Sequence, residues 1–116
     1  MSKRGIVPPL KDILEAIDRI QRYIGGMSLA DFIANSEKQD AVVRNLEIIG
    51  EAVRNIPPEF REQHAEIPWN QIAGFRDRLI HQYFGVNWTI LWDVAQNKLP
   101  VLRIQVSVLL RDASQS

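Results

Sequence analysis

The chain has 116 residues, the size of one domain, and its 46% hydrophobic and 24% charged residues are ordinary for a globular protein. Its 14 basic and 14 acidic residues give zero formal net charge, which argues against a broad nucleic-acid-binding surface but leaves a local basic site open. The absence of cysteine excludes disulfides and thiolate metal sites, and a cytoplasmic location fits that absence.

The N-terminal part of the chain predicts one long helix and one short helix. Pro8-Pro9 opens the long helix and leaves no room for the apolar core of a signal peptide, and Gly25-Gly26 ends the helix. Between them, apolar residues recur three and four positions apart, as on the buried face of a helix: Leu10, Ile13, Leu14, Ile17, Ile20 and Ile24. Ser28 is a good N-cap for a short helix through about residue 34.

A second long helix is predicted from Ser36, its candidate N-cap, to the break at Pro57-Pro58. Its apolar residues follow a regular 4-3-4-3 spacing, which suits lengthwise packing against another helix: Val42, Leu46, Ile49, Val53 and Ile56. Gly50 lies beside this seam, and its missing side chain would allow a close approach of a neighbouring backbone.

The next long helix follows a polar stretch from Glu59 to Glu66, which we interpret as loop-like, with His64 as a surface residue. Pro68 begins this helix, which is predicted to run through Phe84 and to stop at Gly85.

The last helix is predicted to begin at Trp88 with Asn87 as its cap, and Pro100 kinks or restarts it. Four residues are expected to continue its apolar face: Val101, Ile104, Val108 and Leu109. No segment shows strand alternation beside turn signals, and no apolar run approaches the roughly 20 residues that span a bilayer, so we expect no membrane partner. The sequence predicts an all-α bundle of four main helices with short connections.

The candidate chemistry lies on the helix from 68 to 84. The chain has no Gly-rich phosphate loop, no His pair at metal-ligand spacing and no serine nucleophile elbow. At about 100° per residue, Arg76 falls in the middle of an apolar helix side, which is costly unless the guanidinium is paired or lies at a cleft or interface. Asp77 is four residues before His81, so its carboxylate could hydrogen-bond the imidazole and orient it.

Simpler interpretations of these residues remain open. Arg76 could merely pair with Glu51 across two helices, and His81 falls on the polar side of its helix. Glu51 lies one turn from Glu47, with Arg44 and Arg54 nearby, so these residues could form a solvated ion ladder along their own helix. Alternatively, the carboxylates could be the polar partner of a catalytic arginine or lie at a subunit contact. On a straight helix Arg76 and His81 point about 140° apart. Convergence on one phosphate would need a distorted last turn or a second subunit.

The residues Arg76, His81 and Tyr83 have the spacing R-x4-H-x-Y, which resembles the signature of the HepT-like branch of HEPN domains. The stretch from 67 to 83 resembles the family pattern nearly throughout, as do residues 40–44 with 48–52 in the second long helix and 13–17 in the first. The resemblance covers about residues 8–112, the core of a single domain expected over 1–116.

This resemblance implies an all-α, HEPN-type up-and-down bundle of four main helices plus short helices. It implies an endoribonuclease that uses no metal and no cofactor, in which Arg76 and His81 line a cleft where two subunits meet. Homodimers or higher homo-oligomers are therefore expected. It also implies a prokaryotic toxin, of a type VII-like pair, whose nucleotidyltransferase antitoxin (MntA-like) transfers AMP to Tyr83.

In this interpretation His81 is the general acid or base, and Arg76 holds the scissile phosphate of the RNA substrate. Asp77 would orient His81; the family often has Asn there, and a carboxylate could raise the pKa of His81 or repel RNA phosphate. Arg78 is either a further phosphate contact or a solvated surface residue. Two alternatives are a non-catalytic HEPN module that binds RNA or nucleotide, and a scaffold whose nucleotidyltransferase neighbour is the active toxin.

Overall fold

The computed structural model of the chain describes residues 5–81 and 86–115, without the side chains of residues 80 and 81. Across this part of the chain the regular structure is helical and no strand occurs, so the all-α prediction is confirmed. In chain order the helices are α1 (Val7–Ile24), α2 (Leu29–Ile33), α3 (Ser36–Arg54), α4 (Pro58–Gln63), α5 (Trp69–His81), α6 (Trp88–Asp93) and α7 (Leu99–Ser114), with a π turn (Val94–Lys98) joining the last two.

The helix α1 lies at the centre of the molecule and is packed on both sides. Proline in its first turn favours the start of the helix, and Gly26, with a φ of 80°, lets the chain turn away after its end. Its predicted apolar face is buried, as in Leu10, Ile13 and Ile17, which have no exposed surface. Each fully buried side chain of this kind contributes about 1.5–3 kcal/mol of hydrophobic free energy.

The main packing contacts join α1 to α3, α3 to α5, and α1 to α7. The predicted seam is confirmed as buried, in Val42, Leu46, Ile49, Val53 and Ile56. However, α3 ends at Arg54, short of the predicted break at Pro57-Pro58, so Ile56 is buried just beyond the helix. An ion pair on the surface also links α1 to α7, with Arg103 Nε donating to Asp18 Oδ1 at 2.8 Å. That hydrogen bond raises the pKa of Arg103 above its usual value.

The helix caps follow the sequence signals, with one exception. Ser28 caps α2 in a capping box, since its hydroxyl accepts from the Asp31 N–H at 3.1 Å and its own N–H donates back to the Asp31 carboxylate. The prediction that Ser36 caps α3 is wrong. Asn35 has the extended backbone of a cap, and its side-chain oxygen accepts from the Lys38 N–H at 3.0 Å.

The interpretation of residues 59–66 as a loop is wrong in part, because α4 covers Pro58–Gln63. Proline at the first helical position presets the backbone angle, and Arg61 Nε donates back to the carbonyl of Ile56 at 3.1 Å. His64 is only half-exposed, with its ring centre 4.5 Å from that of Phe60, so it is not the fully solvated residue expected.

The C-terminal helices confirm the predicted cap and correct the predicted apolar face. The Asn87 side chain accepts from the N–H groups of residues 89 and 90. A π turn precedes Pro100, which has no N–H for the helical ladder, and α7 restarts there. The buried face of α7 consists of Leu99, Leu102, Val106 and Leu109. Three residues that were predicted to share that face are exposed instead: Val101, Ile104 and Val108. Ile104 is the most exposed of them, at 67%.

Among the described residues, no helix is both long enough and apolar enough to cross a membrane. The packing order leaves α5 against α3 as its principal neighbour, with α1 on the other side of α3. The candidate site must therefore be sought where α3 and α5 meet.

Candidate active site

The helix α5 carries most of the predicted site residues, and its position is fixed by packing. At its start, Ile67 and Trp69 are buried, and the Trp69 indole N–H donates to the carbonyl of His64 at 2.9 Å. Three turns further along, Leu79 is buried in the core. Because α5 is anchored at both of these points, the side chains between them have a defined position relative to α3.

Arg76 lies between α5 and α3, with only 23% of its side chain exposed. Its Nη2 atom is 3.1 Å from Glu51 Oε2 on α3, and its Nη1 atom is 3.5 Å from Asp77 Oδ1 on its own helix. Its Nε atom is buried, and none of the described residues accepts a hydrogen bond from it. The cross-helix pair with Glu51 explains how a guanidinium is tolerated on an apolar side, and a buried N–H without a partner is an energetic cost that remains.

Asp77 connects the same two helices a second time. Its Oδ2 atom accepts a hydrogen bond from Arg54 Nη2 on α3, while its Oδ1 atom faces Arg76. The carboxylate is thus shared by two guanidinium groups. The predicted role of Asp77 in orienting His81 involves a side chain outside the described residues, so that role stays a prediction.

The backbone of α5 is helical through His81, but the imidazole of His81 lies outside the described side chains. Tyr83 lies outside the described residues altogether, as do the predicted helix end at Phe84 and the stop at Gly85. The predictions about these four residues therefore stay predictions.

Arg78 is exposed, and its guanidinium carbon lies 5.6 Å from the centre of the Phe75 ring, one turn back on α5. A cation over an aromatic ring at an exposed site is a weak interaction of about 0.5–1 kcal/mol. The contact holds Arg78 without removing it from solvent, which leaves both of its predicted roles open.

A depression of about 210 Å³ opens beside Arg76, between α1 and α3. Three carboxylates line it, from Asp12, Glu47 and Glu51, together with the guanidinium groups of Arg44 and Arg76. The rest of the lining is Ile48, Ala52 and Asn55. A larger groove of about 710 Å³ is lined by Phe60, His64 and Leu109 among others, and Arg76 is not in it. The acidic surroundings of Arg76 mean that a phosphate group must compete with carboxylates for the guanidinium.

The structure also identifies residues of α3 that the sequence analysis did not assign to the site. Arg54 was considered only as part of an ion ladder along α3, but it reaches across to Asp77. The ladder interpretation holds for Arg44 and Glu47, whose charged atoms are 3.9 Å apart on α3. The order of charges along the two helices could have indicated these pairs. Glu51 and Arg54 on α3 meet Arg76 and Asp77 on α5, so each acid faces a base. Gly50 was predicted to permit a close approach, and the group that approaches it is Arg76.

Comparison with known proteins identifies the family of the chain. The family model described as "Ribonuclease HepT-like" matches residues 13–109, which is most of the chain. The chain belongs to the HepT-like ribonuclease family, and its all-α fold is of the HEPN type. No solved structure matches the chain.

Curated relatives cover nearly the whole chain. One is "Probable ribonuclease HepT" of Thermococcus cleftensis, which is 45% identical over 101 residues, covering 87% of this chain and 92% of the relative. A protein of Caldanaerobacter subterraneus subsp. tengcongensis named "Putative RNase" is 46% identical over 104 residues, covering 90% and 93%. A similarly named protein of Methanocaldococcus jannaschii is 43% identical over 112 residues, covering 97% and 93%. These names support a ribonuclease function at the level of the family.

Proposed function

We propose that this chain is a metal-independent endoribonuclease, the toxin of a two-gene toxin–antitoxin pair, with Arg76 and His81 as its catalytic residues. The observation that carries the proposal is the largely buried, paired guanidinium of Arg76 in a chain of the HepT-like ribonuclease family. Its guanidinium is largely buried between α3 and α5, five residues before His81. Desolvating a charge at that position is costly, and stability alone would be served as well by an apolar residue.

RNA supplies its own nucleophile, the 2′-hydroxyl, so the reaction needs no metal-activated water. His81 takes the proton of the 2′-hydroxyl as general base while the 2′-oxygen forms a bond to the adjacent phosphorus. The bond from phosphorus to the 5′-oxygen breaks, and the leaving oxygen receives a proton from a general acid. The products are a 2′,3′-cyclic phosphate and a 5′-hydroxyl.

Arg76 holds the scissile phosphate and offsets the charge that develops on its oxygens in the transition state. Its two Nη atoms carry four N–H bonds, and the contacts with Glu51 and Asp77 engage one on each atom. The remaining N–H donors are available for phosphate. Glu51, Asp77 and the exposed Arg78 act as supporting residues around this group.

The active site is composite and contains residues of two subunits. Residues 76 and 81 belong to one helix, on which five residues correspond to a rotation of about 140° beyond a full turn. The described backbone of α5 has no break that would turn the two side chains toward each other. A second subunit that presents its own α5 at the same cleft supplies the missing half, so a homodimer is the smallest active unit.

The proposed partner is the nucleotidyltransferase encoded beside this chain, acting with it in the cytoplasm. It neutralises the toxin by transferring AMP from ATP to the hydroxyl of Tyr83, with pyrophosphate as the leaving group. On the helix that the sequence predicts through Phe84, Tyr83 comes seven residues after Arg76 and shares its side, so an AMP group there would add bulk and negative charge near the phosphate-binding guanidinium. Incubation with that enzyme and ATP should increase the mass of the Tyr83 peptide by one AMP, and a Tyr83→Phe variant should stay unmodified. If Tyr83 of an RNA-cleaving preparation stays unmodified after that incubation, this part of the proposal is contradicted.

The central test is cleavage of single-stranded RNA by the purified protein in excess EDTA. Wild-type protein should cleave, with a cyclic phosphate at the new 3′ end. His81→Ala should lower kcat by about 10²–10⁴, the usual contribution of general acid–base catalysis. Arg76→Ala should lower kcat by about 10²–10³, as for the loss of one charge-stabilising group.

Two matched controls remove the same residue types elsewhere in the molecule. Arg103→Ala removes an arginine that also pairs with a carboxylate, and His64→Ala removes the other histidine. Both should cleave as wild type does. Cleavage that survives both Arg76→Ala and His81→Ala would exclude this site from the mechanism. RNA that is bound but never cut would favour the non-catalytic binding module, which the zero net charge and acidic surroundings of Arg76 make the strongest alternative.

A further inference from the structure

Gly50 on α3 is buried directly beneath the side chain of Arg76. A Cβ atom built on Gly50 would lie 2.3 Å from the Cβ of Arg76, 2.9 Å from its Cγ and 3.0 Å from its Cδ. Side-chain carbons do not approach each other this closely. The Cβ of Arg76 is fixed to its backbone, so rotation of the side chain cannot relieve the shortest contact. A methyl group at position 50 would therefore require α5 to move away from α3.

The close approach decides where the guanidinium of Arg76 lies. Its Nε atom has no acceptor among the described residues, so no hydrogen bond at Nε fixes the side chain. The aliphatic stem of the side chain, from Cβ to Cδ, is instead held by contact with the backbone of α3 at Gly50. The next residue, Glu51, then meets Nη2 at 3.1 Å. One turn further along α3, Arg54 binds Asp77.

We propose that Gly50 is a positioning residue of the ribonuclease site, which lets the stem of Arg76 lie on α3 and so fixes the guanidinium for the scissile phosphate. This inference depends on the proposed function for its catalytic consequence. The contact between Gly50 and Arg76 does not depend on that function. A guanidinium held before substrate arrives loses less freedom on binding and is already aimed at the charge of the transition state.

Gly74 provides a matched control on the facing helix. It lies in α5, two residues before Arg76, and a Cβ built there meets nothing within 4 Å. Alanine favours a helix more than glycine does, so Gly74→Ala should melt at the wild-type temperature or above it. Gly50→Ala gains the same helix preference, so a loss of stability in that variant measures crowding at position 50, where the three nearest atoms belong to Arg76.

The test combines kinetics in EDTA with thermal melting. Gly50→Ala should lower kcat for RNA cleavage at least tenfold while KM changes less than threefold, and Gly74→Ala should stay within twofold of wild type in both. Gly50→Ala should also melt about 5–10 °C lower than wild type, within the range that one disrupted packing contact gives in a small domain. An Arg76→Gly background removes the three atoms nearest to the methyl group, all of which belong to Arg76. Adding Gly50→Ala to that background should not lower the melting temperature and should raise it by several degrees, about as much as the helix preference of alanine gives without the clash.

Each outcome bears on one claim. A wild-type protein that does not cleave RNA would end the proposed function, while the melting comparison would still test the contact. A folded Gly50→Ala variant with wild-type kcat would overturn the positioning role and leave Gly50 as a packing residue. A Gly50→Ala variant that fails to fold should fold again when Arg76→Gly is added. Failure of the double variant to fold would overturn the assigned contact.

Discussion

The guanidinium of Arg76 is paired with Glu51 on α3 and lies beside Asp77 on its own helix. Its position in an apolar stripe predicts an unusual environment, and its pairing with Glu51 across two helices is confirmed at 3.1 Å. The contact of Arg54 with Asp77 was not predicted. Such pairs depend on how α3 is rotated about its own axis and on how far it is shifted along that axis relative to α5. A single sequence does not fix either quantity, although it shows which face of each helix is charged.

The carboxylate of Asp77 should weaken RNA binding. It lies beside Arg76 and also engages Arg54, so it lowers the positive potential where a phosphate would bind. Asp77→Asn keeps the size of the side chain and removes its charge. We expect this variant to bind a non-cleavable 2′-O-methyl RNA about 3- to 10-fold more tightly at low salt, an effect of the size that one partly screened charge gives. The gain should shrink at 0.5 M salt.

Asp18→Asn is the control for this charge change, because Asp18 also pairs with an arginine but does so between α1 and α7. Its RNA affinity should match that of wild type. Unchanged or weaker binding by Asp77→Asn would show that the carboxylate does not compete with phosphate for Arg76.

At the scale of the elements, helical periodicity predicted the positions of the long helices, and local chemistry predicted the caps of the short ones. The seam of α3 and the caps at Ser28 and Asn87 were correct. The cap of α3 was displaced by one residue because Asn35 and Ser36 are both good cap residues. Only the backbone angles of the folded chain decide between two adjacent candidates.

The error on α7 has a different physical origin. This helix has apolar residues on two sides, and the choice of side depends on where α1 lies. Leu102 and Val106 face the core, whereas Val101 and Ile104 face solvent. Periodicity identifies a helix with apolar faces but cannot identify which face is buried when there are two. The π turn before Pro100 likewise depends on packing, because proline also permits a kink or a clean break.

At the scale of the whole molecule, the packing order places α5 on one side of α3 and α1 on the other. Arg76 lies in the interface between α5 and α3, while the last turn of α5 carries His81 about 140° around the helix. One subunit therefore presents half of the proposed site. A single domain over residues 1–116, and its assembly into at least a dimer, stay predictions that account for this geometry.

The most direct measurement of this central claim mixes two inactive variants. Arg76→Ala and His81→Ala are purified separately, combined at equal concentrations under conditions that exchange subunits, and assayed for RNA cleavage in EDTA. A mixed dimer contains one cleft with an intact arginine from one subunit and an intact histidine from the other. With random exchange, cleavage should return to about a quarter of the wild-type rate, because half of the dimers are mixed and each keeps one of the two Arg76–His81 pairs that two subunits form across the shared cleft. A mixture with full subunit exchange that is no more active than the two variants measured separately would contradict the shared site.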